Sequence, residues 1–292
     1  MKNGAFIISL DFELYWGYLA ITDYDKEFER FDQVRDIASR MIKIFDENQI
    51  KVSWSTVGFL MLEDSKRLNA LIPHIDKPEY KRRELDNYFN FTHVIEEDNL
   101  REEAFFASEL VEELKQIKYQ TIGIDSFSHY YCLEEGQTVQ EFADDLRMAK
   151  EIANEKGIEM RSIVFPRNQF DRDYLNLLKE YGIDIYRGTP EHLIFRPRRH
   201  DNYFIRGMRL VDTYLNITGN QTHDHPSPYE ELFDIKANRF LKPQNGTPEV
   251  LRALQLRSIK NEMTEAAINN KYYHLWWHPH NFSVSPEENF YF

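Results

Sequence analysis

Short apolar runs rich in β-branched and aromatic residues alternate along the chain with segments whose apolar residues recur every three or four positions. That alternation predicts β/α units around a parallel sheet. The runs are AFIISL (5–10), KVSWSTV (51–57), QTIGI (120–124), RSIVF (161–165), DIYR (184–187), MRLVDTYLNI (208–217) and YYHLWWH (272–278). Between them FDQVRDIASRMIKIFDENQ, EEAFFASELVEELKQI, VQEFADDLRMAKEIANEKG, DRDYLNLLKEYG and GTPEVLRALQLRSIKNEMTEAAINN read as helices. Thr138 or Gln140 opens one of them, Gly157 and Gly182 close two, and Thr247 with Pro248 opens the last. The stretch from about 59 to 103 is longer than an ordinary βα connection, which predicts an insertion over the rim. No linker divides the chain, so residues 1–292 read as one α/β domain.

In a parallel barrel the reactive residues gather where strands end and lead into helices. The residues there are Asp11 and Glu13 after the first run, Asp125 and His129 after the third, and Pro166, Arg167 and Asn168 after the fourth. His278 and His280 follow the last. If the sheet closes, these groups converge on one rim.

Composition narrows the field. With 42% hydrophobic and 14% aromatic residues the chain has material for a large core. A net charge of −13 argues against a sequence-independent nucleic-acid binder and favours a neutral or cationic small substrate. The single cysteine, Cys132, excludes an intrachain disulfide framework and a cysteine-rich zinc site, and points to a reducing compartment. The opening MKNGAFIISLDFE has an apolar run too short for a secretion signal or a membrane span. A cytoplasmic location with no integral membrane segment is the resulting expectation.

Asp11 and Glu13 would share one face of an extended strand, roughly 6 to 7 Å apart. Two acids so placed call for a cation, although a helix cap or a lysine partner would also satisfy one of them. Asp125 and His129, four residues apart, would sit on one side of a helical turn and could grip one metal; a structural histidine is the alternative. In YYHLWWHPHNF, Pro279 ends the strand and leaves His278 at the rim, where it reads either as a general acid or as a stacked core imidazole. His274 reads as structural. The loop TGNQTHDHPSP brings His223, Asp224 and His225, whose spacing matches no particular metal geometry and suits a solvated turn.

Taken in order, SLDFELYWG, IGIDSFSHYYCLEEGQT, SIVFPRNQF, ANRFLKP and YYHLWWHPHNF resemble the motifs of the polysaccharide deacetylase family, the NodB-homology or carbohydrate esterase family 4 group. They are closest to its surface-polysaccharide-associated branch. The resemblance spans the chain and implies a distorted (β/α)7 TIM-like barrel holding one divalent metal. Matched residue by residue, Asp11 takes the place of the catalytic base, Glu13 of the metal-binding acid, His129 of the second metal histidine and His278 of the catalytic acid. Asp125 stands where the family has its first metal histidine. The motif DFE replaces adjacent aspartates, and FPRNQ places Arg167 differently from the family's arginine.

The resemblance therefore implies a carbohydrate deacetylase, a hydrolase of carbon-nitrogen amide bonds, acting on an amino-sugar derivative or surface-polysaccharide precursor. Asp11 and His278 would be its base and acid, Arg167 would orient Asp11, and Glu13, Asp125 and His129 would hold the metal. An added carboxylate shifts preference toward ions that accept oxygen, so zinc competes with manganese, iron or cobalt. Trp16, Asn168, Trp277 and His280 are the expected substrate contacts, Trp16 foremost as an aromatic wall. Two alternatives stay open: an amidase on an N-formyl sugar or ureide, and a metal-free carbohydrate-binding pseudoenzyme in which Asp125 marks a lost site.

Overall fold

A computed structural model describes residues 3–19, 24–94, 100–200, 202–227 and 231–291. Its strands are β1 (Ala5–Phe12), β2 (Val52–Thr56), β3 (Gln120–Ile124), β4 (Ser162–Ile163), β5 (Ile185–Tyr186), β6 (Phe233–Asp234), β7 (Arg239–Phe240) and β8 (Tyr272–Trp277). They form one sheet in the order β6-β5-β4-β3-β2-β1-β8-β7, with every neighbouring pair parallel. β6 and β7 take the two edges, so the sheet curls into an open half-barrel, the distorted (β/α) barrel expected from the sequence. The helices are α1 (Tyr24–Glu47), α2 (Ser65–Leu71), α3 (Asn87–Phe89), α4 (Ser108–Gln116), α5 (Val139–Glu155), α6 (Arg172–Leu177), α7 (Tyr203–Leu215), α8 (Glu249–Ile268) and α9 (Pro286–Tyr291).

The strand count differs from the expected seven because MRLVDTYLNI folds as the end of α7. Its apolar residues Met208, Val211 and Leu215 recur at three and four, the Asn202 side chain caps the start by accepting from Ile205 N, and Asn216 stops the helix in a left-handed conformation. The two-residue strands β6 and β7 close the sheet edges instead, and they are too short to show a periodicity. Two of the helix ends expected from the sequence are found. Thr138 and Glu141 form a reciprocal capping box on α5, and Gly182 ends the turn after α6 with φ 82°.

Strand alternation divides the two faces. Leu10, Phe12 and Trp54 point outward, where Trp54 meets Phe45 of α1, and they are buried completely. Small polar residues Ser9, Ser53, Ser55 and Ser162 point inward, so the concave face encloses a cavity of about 600 Å3 rather than a packed barrel interior. Gly123 lets β3 approach β4, since a Cβ there would run into Ser162. The stretch between β2 and α4 folds over the end of β1. There Phe59, Phe91, Phe105 and Phe106 surround Trp16, and Asn87 Nδ2 donates to the Trp16 and Ser128 carbonyls.

Candidate active site

Register brings the chemistry to one level. Leu10 pairs with Trp277, so Asp11 stands level with His278; Phe12 pairs with Thr56, Thr56 with Ile124, Ile124 with Ile163 and Ile163 with Tyr186. One residue further along, Glu13, Asp125 and Arg187 therefore leave their strands at a common height. This is the C-terminal rim, where such folds place their active sites.

Asp11 is buried and accepts two hydrogen bonds from Arg187, 2.5 Å from Nη1 and 2.7 Å from Nη2. Arg187 lies over Trp276, with 4.1 Å between its Cζ and the ring centre. Arg187, and not the Arg167 expected from the sequence, is the arginine in contact with Asp11. Arg167 follows β4 in a left-handed turn, φ 54°, and turns to the other side, toward Glu134 at 3.6 Å and the face of Tyr131. The run DIYR ended on Arg187, and its place at a strand end was the available signal.

His278 reaches both acids through Nε2, 3.3 Å from Glu13 Oε1 and 3.7 Å from Asp11 Oδ2, while Nδ1 lies 3.1 Å from Asn281 Oδ1. Burial disfavours its imidazolium, but the charges of Glu13 and Asp11 outweigh that and raise its pKa. Glu13 mirrors the effect. Burial works to raise its pKa, yet His278 and His129 prevail and hold it well below the usual carboxylate range.

Asp125 and His129 approach Glu13 without the helical turn that their spacing suggested. Ser126 and His129 both have positive φ, 52° and 59°, and the loop they shape is tied down by Asp145 of α5, which accepts from Phe127 N, Ser128 N and Ser128 Oγ. Strained backbone recurs around this rim at Leu14, Arg167 and Asn168, as is common where geometry serves a site. Gly17 makes room for Glu13, whose carboxylate a Cβ at that position would strike.

The donor set suits a metal. The ligand atoms of Glu13, Asp125 and His129 all lie within 4.8 Å of one another, and all three residues are buried. Among the described residues no donor reaches either Asp125 oxygen or His129 Nδ1. Glu13 can bond to Asp125 only through a shared proton. Burial first, then repulsion from Glu13 and Asp11, raises the Asp125 pKa well above the ordinary range. A buried carboxylate without a donor is costly, and a cation removes that cost. Glu13, His278 and His280 form a second compact group that shares Glu13.

The expected substrate contacts divide. Asn168 lines the cleft beside His278. His280 is buried, with its ring against His278 and Tyr18. Trp16 is no substrate wall: it is fully buried in its aromatic cage and donates from Nε1 to the Phe105 carbonyl. Trp277 points outward to Phe45 and Phe282, because alternation along β8 puts it on the opposite face from His278. Trp276 shares the His278 face and lines the cleft; the same alternation could have selected it. His274 is structural, bonded to Ser9 Oγ at 2.8 Å, and burial pushes its pKa down to about 3. His223 bridges to Tyr272 at the opposite end of β8, away from the rim.

A parallel half-barrel with a carboxylate-histidine centre at its C-terminal rim is the class that these features define. Within that class the fold is that of a polysaccharide deacetylase of the NodB-homology type, in agreement with the resemblance of the motifs. A protein of Mycobacterium smegmatis assigned as a polysaccharide deacetylase is similar over 97% of this chain and 79% of its own, at 10% identity and a TM-score of 0.56. The 4-alpha-glucanotransferase of Thermococcus litoralis is similar over 100% of this chain and 36% of its own (13% identity, TM-score 0.49). A CE4 family pseudoenzyme of Bacillus anthracis is similar over 99% and 60% (8% identity, TM-score 0.44). No family model and no curated protein matches the chain. No helix among the described residues is long and apolar enough to cross a membrane.

Proposed function

We propose that this chain hydrolyses the amide of an N-acylated amino sugar, in the first instance an N-acetyl group, with the help of one divalent metal. The observation that carries the reading is Asp125: both its oxygens are buried without a donor, beside Glu13 and His129. Those three residues would hold the ion, which when bound supplies a Lewis acid for the acyl carbonyl and the attacking water. Asp11, fixed by the two-pronged contact with Arg187, is placed to take the proton of that water. His278, whose pKa the charges of Glu13 and Asp11 raise, is placed to hand a proton to the departing amine. One oxygen-rich ligand set leaves zinc, manganese, iron and cobalt all suitable. The substrate enters by the cleft that Trp276 and Asn168 line.

The test is metal analysis of the purified protein together with acetate release from N-acetylglucosamine derivatives. Close to one equivalent of a divalent ion, and acetate release lost in Asp125→Ala but not in Asp125→His, is the expected result. Less than about a tenth of an equivalent after reconstitution would overturn the reading.

A further inference from the structure

Helix α7 sits on the body of the protein with its amphipathic order reversed. Its one fully buried residue is Asp212, which meets Arg239 at 3.4 Å, while its apolar residues turn to solvent. Tyr203, Phe204, Leu210, Val211 and Leu215 are 90%, 71%, 46%, 42% and 61% exposed. At 3.6 residues per turn they fall, with Gly207 in their midst, within a sector of about 140° that holds no charged side chain. Among the described residues a Cβ at Gly207 would meet nothing within 4 Å. The fold of the single chain therefore asks for no glycine there, although glycine weakens a helix interior relative to alanine.

An apolar face of this kind calls for a cover, and its spacing says what fits. Tyr203, Gly207, Leu210 and Tyr214 recur at four, three and four, the heptad rhythm with which one helix packs along another. The row is also self-complementary. Set antiparallel about the helix midpoint, a second α7 brings Phe204 against the partner's Tyr214 and Gly207 against the partner's Val211, so bulky residues meet at the ends and the smallest lies near the centre, where the backbones can come closest. The two exposed aromatics offer about 300 Å2, and with Leu210, Val211, Leu215 and Ile217 the face reaches roughly 500 Å2 of the roughly 800 Å2 that each partner gives a stable interface. A polar rim supplies the rest. A lipid surface fits less well, because the sector carries no lysine or arginine to anchor in headgroups and a chain of net charge −13 is repelled by anionic lipid.

We propose that this chain pairs with a second copy of itself through α7, the two helices antiparallel across a two-fold axis. Arg206, Arg209, Leu210 and Thr213 of the same helix line the cleft that opens on His278, so pairing braces that wall of the cleft from outside. The interface does not depend on the deacylase reading; its effect on substrate binding does.

The mass of the full chain is measured by light scattering and sedimentation over a range of concentrations. A species of twice 35.1 kDa is expected, and Val211→Glu/Leu215→Glu should raise its dissociation constant at least a hundredfold. In that monomeric background Gly207→Ala should raise the melting temperature, whereas in the parent chain it should weaken pairing about tenfold; a glycine that served the fold alone would not give the two signs. Cys132 is buried, so cysteines placed on the face can be crosslinked without it. A mixture of Gly207→Cys and Val211→Cys proteins should form disulfide dimers faster than either alone, which reads the antiparallel register even if the glutamate variant fails to fold. A monomer at every concentration, a pair that survives the glutamate substitutions, or no preference for the mixed disulfide would overturn the proposal, and binding of such a monomer to phosphatidylglycerol vesicles would give the face to lipid instead. The monomeric variant should release acetate with a raised KM and unchanged kcat. An unchanged KM would detach the interface from the cleft, and absence of acetate from both proteins would sink the deacylase reading while the masses stand.

Discussion

Asp11 and Arg187 join strands that are not neighbours. β1 and β5 stand four places apart in the sheet, and the 2.5 and 2.7 Å contacts cross its concave side with both side chains 4% exposed. The pair is thus a clamp on the curl of the barrel as well as a support for Asp11. Arg187→Ala takes both hydrogen-bond donors from the buried Asp11 carboxylate and leaves only the longer His278 contact, a change that costs roughly 3–5 kcal/mol in comparable sites. We expect a lowered melting temperature and a loss of acetate release of at least a hundredfold, with Arg187→Lys intermediate because it restores charge but not the fork. Unchanged turnover in a folded Arg187→Ala protein would refute the role.

Asp125 gives the opposite sign in stability. Its charge is buried against Glu13 and Asp11, so in chelator-treated protein Asp125→Asn should raise the melting temperature. The same variant should forfeit the stabilisation that an ion confers, which is about 2.7 kcal/mol at a hundred times its dissociation constant. Melting curves of both proteins, with and without zinc or manganese, read the two effects together. A variant that is less stable without metal, or gains as much with it, would contradict a metal-holding Asp125.

The rim was legible in the sequence because strand ends are local. Asp11, Glu13, Asp125 and His278 each follow an apolar run, and a parallel sheet carries such ends to one level whatever the loops do. Arg187 was harder to select, since its partner lies 176 positions away and only the curl of the sheet joins them. Trp16 misled because aromatic composition does not distinguish a wall from a core; what buries it is the 59–106 stretch, whose packing leaves no periodic trace. The stretch 208–217 has the β-branched and aromatic residues of a strand, yet most of it belongs to α7, where Leu210, Val211 and Leu215 stay exposed and no buried apolar stripe marks the helix.

His278 carries the pH dependence. Its pKa in the folded, metal-free chain is raised, with burial opposing and Glu13 and Asp11 prevailing. Below the ordinary histidine value of about 6.5 the ring is charged whether the chain is folded or not, and the stability from its contacts is fully present. That stability is lost as pH rises through the raised folded value. Melting temperatures of metal-free protein should therefore fall above neutrality, and His278→Gln should remove this part of the fall. A His278 ring signal that titrates below 6.5 by NMR would show the sign to be wrong.

Trp16 and Trp276 separate packing from binding. Trp16→Ala empties a fully enclosed cage and should cost about 3–5 kcal/mol, seen as a large drop in denaturation midpoint. Trp276 is only half-buried and borders the cleft, so Trp276→Ala should leave the fold nearly intact and raise KM for the sugar. Equal stability losses in the two would place Trp276 in the core.

Asp145 touches no part of the proposed chemistry, yet it fixes the loop that supplies Asp125 and His129. Three donors converge on it, Phe127 N at 2.6 Å, Ser128 N at 3.0 Å and Ser128 Oγ at 2.5 Å, and the positive φ of Ser126 and His129 gives that loop reason to relax if released. Burial pushes its pKa up to about 6, against the pull of those donors. A carboxyl whose folded pKa is raised contributes stability below its ordinary value that is lost as pH climbs toward about 6. Asp145→Asn removes the titration and keeps one acceptor, with an amide hydrogen now facing backbone N–H groups. We expect the variant to fold, to lose the change in melting temperature between about pH 4 and 6, and to bind metal tenfold to a hundredfold more weakly, as outer supports of metal ligands do. Metal titrations at neutral pH decide it: an unchanged dissociation constant would mean that the loop holds Asp125 and His129 in place without Asp145.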